Sequence, residues 1–328
     1  MSARHVVELR QETDFGKPIA VGDRVVNGNT IVHRLDDGGS YTPLMVPVVE
    51  MIAGGGGTNS PVCAYSDAYA MTGAIAGKLY PDQTKFLLDW ATTRIATGRT
   101  VPWTTTDSTG VMPIGDLASI SGYQAVLEAS TYKRRRASGL KANSLVLQGS
   151  RQSSAWTFNA AVVGVRDDTN AAGSVADPSD TEFPEPAASE YPCSPWVFSH
   201  ASGGLKIGTS RTLFDAITIT FTNTLQVLPW ESKYPLMIGF YGRTITIEVS
   251  LYRKPSPDDL ASFRSLTALD VEIVLANGSK TLTLDFGANC RLTAMSQDLP
   301  LDSAYRWTGT ITVLNDPSTG TDFSFTYA

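Results

Sequence analysis

Histidine and cysteine are scarce in this chain of 328 residues, with three of each, and their scarcity removes much familiar chemistry. Cys63, Cys193 and Cys290 are odd in number and far apart. Neither a disulfide framework nor a Cys-x-x-Cys metal knuckle follows from that spacing, and reduced, partly buried thiols are expected. His5, His33 and His200 lie in the N-terminal stretch or beside loops, which makes them surface residues rather than bases or metal ligands. Gly-x-Ser-x-Gly, His-Glu-x-x-His and the Rossmann glycine pattern are all missing. Paired carboxylates at Asp36 and Asp37 and at Asp167 and Asp168 sit in turn-like sequence. No enzymatic activity, cofactor or metal is therefore expected. No run reaches the roughly 20 apolar residues of a membrane helix, and the opening MSARHVVELRQETDFG carries no apolar signal core. A soluble protein made in a cytoplasm, with no membrane partner, is expected. Positive charge is also in deficit: 26 Lys and Arg face 32 Asp and Glu, for a net charge of -6. Such a chain repels duplex DNA rather than holding it.

What is present favours β-structure. Charged residues make up only 18% of the chain while Gly (28) and Pro (18) are plentiful, a balance that suits short strands and turns. The length favours two domains.

The most regular stretch spans residues 216–266. Ile217, Ile219 and Phe221 alternate with Thr218, Thr220 and Thr222, and Ile245, Ile247, Val249 and Leu251 alternate with Thr244, Thr246, Glu248 and Ser250. This period of two predicts a half-buried sheet with a threonine-rich wet face. Ser256, Pro257, Asp258 and Asp259 then read as the start of a helix whose buried stripe is Leu260 and Phe263. The pattern occurs twice: residues 73–91 (GAIAGKLYPDQTKFLLDWA) follow the same course as residues 246–266 (TIEVSLYRKPSPDDLASFRSL).

In chain order, residues 1–40 are polar and read as an N-terminal arm or peripheral strand. Residues 44–52 read as a strand broken at Pro47, which leads into Gly54, Gly55, Gly56 and Gly57. The Gly-Lys-Ser/Thr ending of a phosphate loop is missing there, so a flexible hairpin is expected. A first helix is predicted from Pro81 to about Gly98, with Phe86, Leu87, Trp90, Ala91 and Ile95 at helical spacing. A Thr/Pro/Gly connector at 100–110 precedes predicted strands at 124–132, 144–148 and 156–165. Lys133, Arg134, Arg135 and Arg136 lie between the first two and read as a solvated or ion-pairing face rather than a nucleic-acid patch. Residues 167–192 are acidic and rich in Pro, Ala and Ser, as in a linker or extended loop. Beyond them, strands at 271–275, 281–286, 290–295 and 307–313 are predicted, with a hairpin turn at Asn277 and Gly278. In the last strand Thr308, Thr310 and Thr312 repeat the hydroxylated face.

These residues resemble the tail tube proteins of long-tailed bacteriophages. The likeness is carried by Asp215-AITITFTNTLQV, Gly239-FYGRTITIEVSLY, the Pro-Asp helix and the Asn-Gly hairpin, and again over residues 69–165. The resemblance implies a mainly β fold with two tail-tube-type β-sandwich or partial-barrel domains, each bearing a short packed helix. Their bounds are 41–166 and 193–328, after an arm at 1–40 and around a linker at 167–192. It further implies a structural virion protein, present in the tail and made in the host bacterial cytoplasm, that polymerises into stacked rings and conducts DNA into the host. Thr218, Thr220, Thr222, Thr244, Thr246 and Glu248 would face the lumen, and Gly54, Gly55, Gly56 and Gly57 would form an inter-ring loop. Partners would be other copies of the chain (three per pseudo-sixfold ring, or six), a tape measure protein, tail terminator and tail-tip proteins, and DNA transiently in the lumen. The competing reading is a carbohydrate-binding or adhesive β-sandwich with Trp103, Trp156, Trp196, Trp230 and Trp307 as sugar platforms.

Overall fold

The computed structural model describes residues 5–14, 17–18, 30–34, 39–50, 63–92, 109–113, 117–128, 131–167, 178–179, 183, 194–198, 204–208, 210–212, 214–228, 237–251, 257–298, 306–315 and 321–327. The chain is mainly β, with two sheets and two short helices. Its first half contains β1 (His5–Asp14), β2 (Lys17–Pro18), β3 (Thr30–Arg34), β4 (Gly39–Glu50), β5 (Cys63–Lys78), α1 (Pro81–Thr92), β6 (Thr109–Pro113), β7 (Ile120–Glu128), β8 (Thr131–Ser150), β9 (Thr157–Gly164) and β10 (Arg166–Asp167). The second contains β11 (Leu205–Ile207), β12 (Ser210–Thr212), β13 (Phe214–Leu228), β14 (Met237–Leu251), α2 (Pro257–Ser265), β15 (Val271–Asn277), β16 (Lys280–Asp285), β17 (Cys290–Asp298), β18 (Arg306–Val313) and β19 (Thr321–Tyr327).

Backbone pairing joins eight of these strands in one antiparallel run, β4-β5-β9-β8-β13-β14-β18-β17. The run divides into two quartets of identical topology. In β4-β5-β9-β8 and in β13-β14-β18-β17 alike, the first strand pairs with the second, the second with the fourth, and the fourth with the third. A helix follows the second strand in each: α1 after β5 and α2 after β14.

Strand register extends the match to single residues. Ile75 pairs with Ala160, and Ile247 with Ile311, so matching Ile75 to Ile247 matches Ala160 to Ile311 and carries Trp156 onto Trp307. Both tryptophans are buried. Ala142 pairs with Val162, and Cys290 with Val313, which carries Gly139 onto Gly287. Both glycines have positive φ, 66° and 60°, a conformation that costs a residue with a Cβ. Gly139 lies within β8 where its pairing passes from β7 to β9, and Gly287 lies where β16 leads into β17.

The outer layer over the second quartet is the sheet β12-β11-β15-β16-β19-β6. Its apolar residues meet those of the long sheet, with the Phe221 and Phe323 ring centroids 5.3 Å apart, and Phe198 outside both sheets lies 4.8 Å from Phe214 of β13, edge to face. β6 starts at the end of the Thr/Pro/Gly connector of the first half yet pairs with β19 of the second, so β6 straps the halves together. A second strap runs through residues 194–198: Val197 bridges Ala155 on one side and Ala276 on the other, and the Trp196 indole donates to Thr84 Oγ1 at 2.8 Å. One core cluster spans both halves.

Several boundaries differ from expectation. β8 begins at Thr131, so the basic run lies inside a strand, and the predicted strand at 124–132 crosses the β7–β8 turn. β4 continues through Pro47 with a register shift there. α1 is described from Pro81 to Thr92; the predicted end near Gly98, with Ile95, and the Ser256 cap lie outside the described residues. Within the predicted linker, Pro178 and Phe183 are buried, and the Arg134 guanidinium donates to the Phe183 carbonyl at 2.8 Å.

Candidate functional site

Thr218, Thr220, Thr222, Thr244, Thr246 and Glu248 share one face of the long sheet. They are half-buried or exposed, whereas their alternates Ile217, Ile219, Phe221, Ile245, Ile247 and Val249 are buried. Register sets them opposite one another: Thr222 with Thr244, Thr220 with Thr246, Thr218 with Glu248. The face continues onto β18, where Thr312, Thr310 and Thr308 stand beside Thr246, Glu248 and Ser250. It continues onto β17 through hydroxyl pairs, Thr293 with Thr312 at 3.0 Å and Ser296 with Thr308. Cross-strand hydroxyl pairs of this kind contribute roughly 0.2–1 kcal/mol each and leave the surface wet.

In the other direction the face crosses into the first quartet. Ser144, Val146 and Gln148 of β8 stand opposite Thr222, Thr220 and Thr218, and Asn159 and Thr157 of β9 stand opposite Val146 and Gln148. Ala76 and Lys78 of β5 follow. The alternation survives here, but Val146, Ala76, Asn159 and Lys78 interrupt the run of hydroxyls, which is why the sequence does not disclose this half. The whole face is broad, open and nearly neutral, with Glu248 and Lys78 exposed on it. It offers no nucleophile–base pair, and among the described residues no group of three or more His, Cys, Asp and Glu could hold a metal ion.

At the two ends of the run are unequal edges. β4 pairs with β5 alone among the described strands, and the outer edge of β17 carries only the bridge between Leu269 and Cys290. Unpaired N–H and C=O groups along such edges are templates for further strands. Gly54, Gly55, Gly56 and Gly57 lie outside the described residues.

The basic run belongs elsewhere. Arg136 is 1% exposed, with its guanidinium 5.9 Å from the centroid of the Tyr123 ring, and Arg10 lies over that ring at 4.4 Å. Arg10 pairs with Glu8, while Glu12 accepts from Ser121 Oγ at 2.6 Å and from the Gly139 amide at 2.9 Å. Arg10 thus offsets the buried Glu8 carboxylate, Arg136 donates to Ser121 Oγ, and Glu12 fastens β1 to β7 and β8. Only Lys133 of the four is exposed.

The sugar-platform reading loses three of its five tryptophans: Trp156, Trp196 and Trp307 are 1%, 0% and 1% exposed, and a buried indole cannot stack on a sugar from solvent. Trp103 and Trp230 lie outside the described residues. No described helix is long and apolar enough to cross a membrane. A family model described as phage tail tube protein matches residues 54–326. No curated protein matches the chain.

Proposed function

The chain belongs to the phage tail tube protein family, a structural component of the virion tail that self-assembles into a tube, and from this membership we propose a ring of three copies. Each copy contributes two tube units, residues 41–166 and 193–328, so that three chains make a pseudo-sixfold ring. The observation that carries this reading is the junction inside the chain. There β8, the third strand of the first quartet, pairs with β13, the first strand of the second, from Ser144 with Thr222 to Ser150 with Ala216. The outer edges are the same two kinds of strand: β17 is a third strand and β4 a first. A copy of the internal junction between chains, β17 against β4, therefore continues the sheet without limit, and rotation closes it.

Closure buries both edges and turns the long face inward or outward as a whole. The hydroxylated face, with Thr218, Thr220, Thr222, Thr244, Thr246 and Glu248, lines the lumen, because the opposite face is already covered by α1, α2 and the outer sheet. A hydroxylated lining lets phosphate-bearing DNA pass without cationic traps. Stacking of rings engages residues 54–60 and the tip of the β13–β14 hairpin. Tape measure, terminator and tail-tip proteins meet the tube within the lumen and at its ends. Synthesis takes place in the host cytoplasm.

Electron microscopy of assembled tubes tests the proposal. Threefold rings with eight inner strands per chain are expected; true sixfold rings with four inner strands per chain would overturn it.

A further inference from the structure

The two helices end differently. The last described turn of α1 is held by the second quartet: Asn223 of β13 donates to the Ala91 and Ala142 carbonyls, each at 2.8 Å, and Arg243 of β14 donates to the Thr92 carbonyl. α2 caps itself. The Thr267 amide donates to the Ser262 carbonyl at 3.1 Å across Leu266, which has φ 50° and stands alone among the described non-glycine residues in having positive φ. Glycine is the usual occupant of such a position, and leucine there is strained. This leucine is also 53% exposed.

Counting from the prolines that open the two helices, Leu266 holds the place of Trp90 and Phe263 that of Leu87. Trp90 and Leu87 are completely buried, and the Trp90 indole donates to the Leu140 carbonyl at 3.1 Å. The same stripe on α2 is half-buried at Phe263 and open at Leu266. α1 packs on β8 of its own quartet and has β3 and β13, the first strand of the next quartet, beside it, whereas α2 packs on β17; of these neighbours, the one that a second copy can supply to α2 is a first strand.

The next first strand available to α2 is β4 of another copy, and its composition complements the difference. By the matched registers Pro43 of β4 holds the place of Asn223, and Met71 of β5 the place of Arg243. Neither brings a donor, and a self-capped helix end needs none. The last described turn of α1 is held by donors from β13 and β14; self-capped α2 calls for none at the matching positions.

We propose that Leu266, held strained and exposed at the end of α2, is the anchor on which β4 of a second copy docks, in a seam where Ala294 of β17 stands opposite Ser40 of β4. That register copies Val146 opposite Thr220 in the internal junction. The inference rests on the ring reading and names the contact that closes it. The internal seam is strapped by β6, Asn223 and Arg243, whereas the seam between chains has the anchor and the strand edge. Rings come apart between chains.

Leu266→Gly separates an anchor from a structural residue, because glycine relieves the backbone while removing the side chain. The full-length variant is expected to keep or raise the melting midpoint of the unassembled subunit. It should need at least about tenfold more protein to assemble, as burial of one leucine implies. A lowered midpoint with unchanged assembly would overturn the proposal, as would unchanged assembly alone. Ser40→Cys with Ala294→Cys, with Cys63 and Cys193 replaced by serine, should crosslink neighbouring chains under mild oxidation. The displaced pair Ser40→Cys with Asp298→Cys should not, and the reverse outcome refutes the register. Wild-type protein that never forms rings would sink the ring reading and the anchor together, while normal rings from Leu266→Gly would sink the anchor alone.

Discussion

Arg243 of β14 grips Asp322 of β19 through two parallel hydrogen bonds, Nε to Oδ2 at 2.7 Å and Nη2 to Oδ1 at 2.6 Å, with the two side chains 0% and 5% exposed. The same guanidinium reaches the Thr92 carbonyl at the end of α1 and lies 5.9 Å from the centroid of the Phe323 ring. One side chain thus ties the inner sheet, the outer sheet and the first helix together. Removing one member of a buried pair strands the other charge, at a cost of about 3–5 kcal/mol. Asp322→Ala should lose that much in urea unfolding. The double replacement Arg243→Met with Asp322→Leu should recover part of the loss, and a double mutant as unstable as the sum of its singles would contradict the coupling.

Gly287 faces open space, with nothing within 4 Å of a Cβ built there. Gly287→Ala therefore reports the backbone alone, and its positive φ predicts a loss of roughly 1 kcal/mol. An unchanged denaturation midpoint would show that the corner between β16 and β17 relaxes freely.

Burial pushes the Cys290 thiol up to about 12 from an ordinary value of 9.0, with the nearby Asp270 carboxylate adding to the effect. A raised value means that the folded state holds the neutral thiol. Its contribution to stability is whole below about pH 9 and is lost as pH rises toward 12, by roughly 1 kcal/mol per pH unit. Wild type and Cys290→Ala should therefore converge in unfolding free energy as pH is raised from 8 to 11. Parallel curves would refute this. Maleimide at pH 8 should label Cys290 only on unfolding.

On the hydroxylated face, Thr220 and Thr246 stand opposite one another. Replacing both with lysine leaves the core untouched and places like charges across a strand pair, which costs less than about 1 kcal/mol. The subunit should fold normally, and assembled tubes should retain DNA at low salt and release it at high salt. Tubes indifferent to DNA would argue against an inward-facing surface.

Local pattern was enough for much of the second half. The period-two alternation in β13, β14 and β18 marks both the strands and their wet face, because a strand buried on one side must alternate. Asn277 with Gly278, φ 59°, marks its hairpin, because that turn demands positive φ. The repeat of Leu-Tyr and Pro-Asp is also written in the chain. Other elements have no such signature. β6, with the sequence TGVMP, neither alternates nor begins with a turn signal, and it is a strand because β19 offers it an edge. The basic run joins β8 because β7 offers it an edge, from Val126 with Lys133 to Tyr123 with Arg136. The meeting of β8 with β13 is a pairing of distant edges, and hydrogen bonds between backbones carry no sequence code. Which strands remain open at the ends of the run follows from that pairing and so was decided only when the chain was folded.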